Sequence, residues 1–172
     1  MKKSIILILT IIFFFETATS ANNIVFIDMD KILSSSKPGS NIVEQLNDLN
    51  NSNLDNFKKK QTILKDEEIK IVSQKNILSL DDYNNKVNDL KIKINDYNLI
   101  KNKTTSEFQK KKNNNINIFF KKINSILSKY SKDKSISIIL QKKNMVMGKN
   151  ELDITNEIIK IINDEIKEFK IK

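Results

Sequence analysis

Val43, Asn50, Phe57, Leu64, Ile71 and Leu78 fall at strict seven-residue intervals, and five of the six are apolar. That spacing keeps one side of a helix turned toward a partner over its whole length. The companion series, Leu46, Asn53, Lys60, Glu67 and Gln74, is mostly polar, so the seam is thin. A second apolar run follows through Tyr83, Val87, Leu90, Ile94 and Tyr97, then Lys101, Thr104 and Phe108. Between the two runs stands Ser79-Leu80-Asp81-Asp82, a Ser with an acid three residues on, which reads as a capping box opening a new helix. From Asn41 to Tyr130 the chain carries neither proline nor glycine over about ninety residues, as long helices require. The pattern predicts a helical hairpin with an outgoing arm near 42–78, a tip near 79–82 and a returning arm near 82–131. At 1.5 Å per residue these arms are roughly 55 and 75 Å long.

The flanks read as the base of that hairpin. Asn23 to Asp28 has the pattern of a short buried strand, and Asp28 to Leu33 that of a helical turn. Ser34 to Ser40 holds the only proline and reads as a loop, with Ser40 as cap of the outgoing arm. Ile116, Phe119, Phe120, Ile123, Ile126, Leu127 and Tyr130 form a wide apolar helix face, where the returning arm enters the body. Ser135 to Gln141 reads as a second strand and Met145-Val146-Met147 as a third, paired as a hairpin across Lys142-Lys143-Asn144. A last helix follows, capped by Thr155, with Ile158, Ile159, Ile162, Ile166 and Phe169 on one side. Ile24, Val25, Phe26, Ile27, Ile138, Ile139 and Leu140 are the candidate core of the body or of an oligomer. The expected fold is α+β: a small β-strand body with a long protruding antiparallel helical hairpin, a coiled-coil-like tentacle. It forms a single domain over 22–172, with body 22–41 and 116–172 and arm 42–115.

Residues 1–21 read as a delivery segment. Lys2 and Lys3 precede an apolar run from Ile5 to Phe15, too short to span a bilayer comfortably, and Ala18, Ser20 and Ala21 suit cleavage after Ser20 or Ala21. An uncleaved membrane anchor or a buried core helix is the alternative. Cleavage removes two lysines and Glu16, so the formal charge of +9 becomes +8. The chain has no cysteine and no histidine, which removes the usual metal ligands, thiol nucleophiles and acid–base groups. Its carboxylates are scattered among lysines on helix faces. No enzyme activity, catalytic residue, metal or cofactor is expected. Every basic residue is lysine, which with the Asn and Ile excess points to coding composition as much as to function. At 39% hydrophobic residues, many of them in residues 1–21, one copy has too little apolar surface to be compact, and oligomerisation is the remedy.

Several short stretches, in order, carry a resemblance. Ile24-Val25-Phe26-Ile27-Asp28-Met29-Asp30-Lys31-Ile32-Leu33, Ser36-Lys37-Pro38-Gly39, Ile136-Ser137-Ile138-Ile139-Leu140 with Lys143-Asn144-Met145-Val146-Met147, and Asp153-Ile154-Thr155-Asn156-Glu157-Ile158-Ile159 flank the breaker-free hairpin. In that arrangement the chain resembles the Skp (OmpH) family of periplasmic chaperones across essentially its whole mature length. The resemblance implies a homotrimer with a joint β-core and three tentacles around a cavity. It implies an ATP-independent holdase for unfolded outer-membrane β-barrel precursors in the periplasm, and the lysines and apolar run of residues 1–21, with no twin arginine, point to export by the general secretory pathway. Met147 and Gly148 stand where relatives often carry an aromatic, and the tip carries two acids in place of a basic cluster, so no lipid site is carried over.

The residues by themselves also suit a holdase, because thinly seamed helices leave room to surround a chain whose exposed strands would otherwise aggregate. Phe57, Leu64, Ile71 and Tyr97 are candidates for arm packing or for facing a client. Lys58, Lys59, Lys60, Lys110, Lys111 and Lys112 could steer acidic precursors, although a lysine triplet is more often a solvated helix face. A structural or tethering coiled-coil protein of the envelope is the alternative function. Nucleic-acid binding is not expected of an exported chain without arginine, and membrane contact is expected to be peripheral at most.

Overall fold

The computed structural model describes residues 23–171, so the delivery segment lies outside the described residues. The order of elements is β1 (Asn23–Ile27), α1 (Met29–Ser35), α2 (Lys37–Ser73), α3 (Leu80–Asp133), β2 (Ile136–Gln141) and α4 (Thr155–Glu165). Helices α2 and α3 are the arms of the hairpin, roughly 55 and 80 Å long at the helical rise.

Ser36 both ends α1 and begins α2. Its N–H donates to the carbonyl of Ile32 at 3.1 Å, and its hydroxyl accepts the N–H of Gly39 at 3.2 Å. Pro38 sits in the first turn of α2, where a missing N–H leaves no bond unmade. The arm therefore starts at Lys37, and Ser36, not Ser40, is its cap. Gly39 is required by a close approach: a Cβ there would lie 2.3 Å from the Leu33 carbonyl oxygen. The first N–H of α2 is taken from a distance, donated by Lys37 to Oδ1 of Asn163 on α4 at 2.7 Å.

The tip lies earlier than the heptads suggest. Helix α2 stops at Ser73, and residues 74–79 turn the chain. Ser79 is the N-cap of α3, accepting the Asp82 N–H at 3.1 Å, with Asp81 and Asp82 at the positive end of the helix. Helix α3 then runs unbroken through Asn113-Asn114-Asn115. Asn115 is fully buried and bonds back to the Lys111 carbonyl at 2.8 Å, while Asn113 and Asn114 are exposed, so only the last residue of the polar run faces the core.

Strands β1 and β2 pair in parallel, with the whole hairpin as their crossover. The register slips by one residue between Asn23 and Ile24, leaving Ser137 unpaired. This bulge lets Ile136 and Ile139 both face the core, together with Val25 and Ile27. Ile24, Ile138 and Leu140 stand on the other face, with relative exposures of 40, 47 and 40%. The expected third strand is absent: Lys142–Asn144 is a 3-10 turn, and Val146 and Met147 are solvent-exposed. The second edge of β1 is met instead by Asp153-Ile154, where the Ile154 N–H donates to the Phe26 carbonyl at 3.1 Å. A turn closing on Lys142–Met145 sends the chain over Phe26 rather than back along β2, and Gly148 leaves room for that ring.

The core of the body gathers Ile27, Ile32, Ile42, Leu46, Phe119, Ile123, Ile126, Ile158 and Ile162 from β1 and all four helices. Helix α4 ends at Glu165, so Ile166 and Phe169 reach this core from a non-helical segment and not from the helix face. Thr155 is not the side-chain cap of α4. Its hydroxyl accepts the Asp28 N–H at 2.9 Å, tying α4 to the end of β1, while the Asp153 carboxylate accepts the Thr155 N–H at 3.0 Å and also pairs with the Thr155 hydroxyl.

Candidate interaction surfaces

Along the arms the apolar heptads meet over part of their length, while Ile94 is exposed and Leu78 lies beyond the end of α2. Leu64 and Ile71 of α2 and Leu90 of α3 form a second buried cluster, with Tyr83, Val87 and Tyr97 packed against it. Phe57 is half-buried, and the Tyr97 hydroxyl donates to its carbonyl at 3.4 Å. Where the companion heptads are polar the seam opens. Between the arm cluster and the body, a groove of about 500 Å³ is lined by Phe57, Lys60, Lys93, Asp96, Tyr97 and Ile100, among others. Neither Ile100 nor Asp96 was identifiable from the heptads, because they flank the seam and only the pairing of the arms brings them to Phe57. Lys93 crosses to Glu67 at 2.5 Å. Both partners are partly solvated, so this pair contributes about 0–1 kcal/mol.

The lysines separate by helix geometry. Successive residues point about 100° apart, so a triplet cannot share one face. Of Lys58, Lys59 and Lys60, all exposed, Lys60 lines the groove. Of the second triplet, Lys110 and Lys112 are exposed and Lys111 is half-buried. The outer faces of the arms also carry large apolar side chains in water: Leu54, Ile63, Ile69 and Val72 on α2, Ile92 and Leu99 on α3. No long-range periodicity singles them out, since they lie off the heptad positions.

The second surface belongs to the sheet. Of the candidate body residues, Val25, Ile27 and Ile139 turn inward and Phe26 is covered, but Ile24, Ile138 and Leu140 are open to solvent. Phe26 lies under the loop that follows β2, with the Lys142 ammonium 6.0 Å from its ring centroid. Lys142 also pairs with Asp153 at 3.3 Å. Burial pushes the Asp153 carboxyl up, but hydrogen bonds from Thr155 and the Lys142 charge overturn this and hold it below the usual carboxylate value. On the inner side, burial raises the Tyr130 phenol to about 12, reinforced by its hydrogen bond with the Glu157 carboxylate and the adjacent negative charge.

Among the described residues no helix is long and apolar enough to cross a membrane. None of the curated proteins matches the chain. A putative outer membrane chaperone (OmpH-like) from Caulobacter crescentus has a similar fold, with a TM-score of 0.78 at 14% identity over 86% of this chain and 88% of that one. The family model described as outer membrane protein (OmpH-like) matches residues 23–162, a span that begins with β1, contains the whole hairpin and ends within α4. From first strand to last helix, then, the chain belongs to the OmpH-like outer membrane protein family.

Proposed function

We propose that this protein is an ATP-independent periplasmic holdase, which binds unfolded outer-membrane β-barrel precursors between its arms and prevents their aggregation. Family membership supports a chaperone role of a non-enzymatic kind. The observation that carries the finer reading is the state of the arms: long helices with a half-open seam and scattered exposed Leu, Ile and Val side chains set among lysines. Such a surface offers many weak apolar contacts, which suits a client without fixed structure. Lys58, Lys59, Lys60, Lys110 and Lys112 would draw in acidic clients over distances set by the ionic strength. Leu64 and Ile71 would hold the arms to each other, while Phe57 and Tyr97 border the open groove.

A cavity needs more than one hairpin. The exposed Ile24, Ile138 and Leu140 face supports assembly through the body, as a homotrimer whose tentacles enclose the client. Residues 1–21 would direct export and be removed. The test is light scattering of the mature protein, alone and with a urea-unfolded outer-membrane barrel precursor. The expected result is a mass close to three chains, rising by one precursor, with aggregation suppressed. A monomer that leaves the precursor to aggregate would overturn the reading in favour of a tethering coiled coil.

A further inference from the structure

Beyond the span that matches the family, the segment Ile166–Ile171 lies against the foot of the arms. Its seat reads backbone. The side-chain amide of Gln45 on α2 donates to the Phe169 carbonyl at 2.9 Å and accepts the Ile171 N–H at 3.3 Å. A carbonyl and an N–H two residues apart are the pair that a residue of a neighbouring parallel strand would engage. Gln45 thus stands in for a strand, independent of the segment's sequence. Asn41 fixes the amide, its own side-chain oxygen accepting from Gln45 Nε2 at 2.7 Å. Beside this clamp the Phe169 ring is buried, edge-on to Phe119 with centroids 6.1 Å apart, and the Lys122 ammonium lies 5.5 Å from its centroid. Ile171, two residues on, packs against the same core, while Lys170 and Glu168 stay in water. Over residues 168–171 the segment is therefore bound as alternating outward polar and inward apolar residues, as a half-buried strand is, with Ile166 buried three residues before Phe169.

We propose that the seat formed by Gln45, Phe119 and Lys122 is a docking site for an extended client segment with alternating apolar residues, one of them aromatic, and that Ile166–Ile171 fills it in cis as a displaceable strap. This rests on the chaperone reading for the identity of the client. An unfolded β-barrel strand has the required alternation, and the strap, tethered nearby, competes at high effective concentration until a client segment replaces it.

The chain has no tryptophan, so the full-length Phe169→Trp variant carries a single reporter. Its emission is expected to be blue-shifted. It should move to the red, saturably, on adding a synthetic peptide with the sequence of residues 164–171, and not with the same peptide carrying alanine for its phenylalanine. Adding Gln45→Ala should lower the peptide concentration needed to release the reporter only if the strap loses more than the peptide, so the decisive affinity is read on Phe169→Ala. That variant should bind the dye-labelled peptide at least about tenfold more tightly than the unsubstituted chain. Equal affinities, or no binding by either while an unfolded, tryptophan-free barrel precursor is still kept soluble, would overturn the strap and leave the chaperone reading standing. Peptide displacement with no protection of the precursor would establish the seat and remove its client.

Discussion

Ser135, the corner between α3 and β2, has a φ of 53°. This left-handed conformation turns the chain sharply out of the helix, a position that glycine usually fills. A Cβ in that region costs roughly 1 kcal/mol, partly recovered by the smaller entropy loss on folding. Ser135→Gly is therefore expected to stabilise the protein by about 0.5 kcal/mol, read as a higher urea midpoint with an unchanged slope. Tyr130 makes a prediction in pH. Its phenol is pushed up to about 12, chiefly by burial and further by Glu157. The folded state thus holds its proton more tightly than the unfolded chain, whose tyrosine titrates near pH 10. That contribution is fully present below about pH 10 and is lost as the pH rises through about 12. Phenolate absorbance should show one of the three tyrosines ionising only near pH 12, and Tyr130→Phe should abolish that step. An unaltered titration in the variant would show that the late tyrosine lies elsewhere.

At the scale of elements, the arms and the body are held differently. The body end of the hairpin is packed by four helices and a sheet, whereas the outer part relies on the small cluster of Leu64, Ile71 and Leu90. Truncating a buried leucine in a helical core costs about 2–5 kcal/mol, and a thin two-helix layer can partly collapse onto the gap. Leu64→Ala should cost about 2 kcal/mol, and locally. Amide exchange should accelerate through the outer halves of α2 and α3, with little change at Ile123 or Ile158. A uniform loss of protection would show instead that arms and body unfold as one unit. The same contrast explains why the helices were legible in the sequence over their full length and their ends were not. A heptad names the face that is buried but says little about where a helix stops. The tip shifted toward Ser73, and the start of α2 moved back to Lys37, because Ser36 and Asn163 together satisfy its first N–H groups.

For the whole molecule, the two-stranded sheet has one covered face and one open one. Ile138 is 47% exposed in the single chain, so replacing it with a charge costs the isolated fold little. In the proposed trimer the same side chain is buried, and an unpaired charge there is strongly unfavourable. Ile138→Glu is expected to leave the helical circular dichroism intact while scattering falls to the mass of one chain. Retention of the trimer would move the interface off this sheet face. Closure of the sheet waits on the entire hairpin, since its strands are about 110 residues apart, so formation of the body should be slow compared with the helices.

Periodicity and the absence of breakers in the sequence determine the hairpin, its thin seam and the apolar helix faces of the body, because these follow from local spacing. Phe119, Ile123, Ile158 and Ile162 were identifiable in this way, whereas the strand runs offered Ile24, Val25, Ile27, Ile138 and Leu140 alike, and only the tertiary structure separates the inward Val25 and Ile27 from the open Ile24, Ile138 and Leu140. The tertiary structure decides what depends on distant neighbours. Met145-Val146-Met147 has strand composition but does not pair along the outer edge of β2, because the 3-10 turn at Lys142–Asn144 leads the chain over Phe26 toward Asp153-Ile154, which meets β1. Phe169 continues an apolar helical pattern, yet α4 ends four residues before it, and its ring is held by Phe119 while Gln45 takes the flanking backbone. A one-dimensional pattern shows which side chains seek burial; which partners bury them, and which backbone groups are left for a clamp such as Gln45, is decided only when remote segments meet.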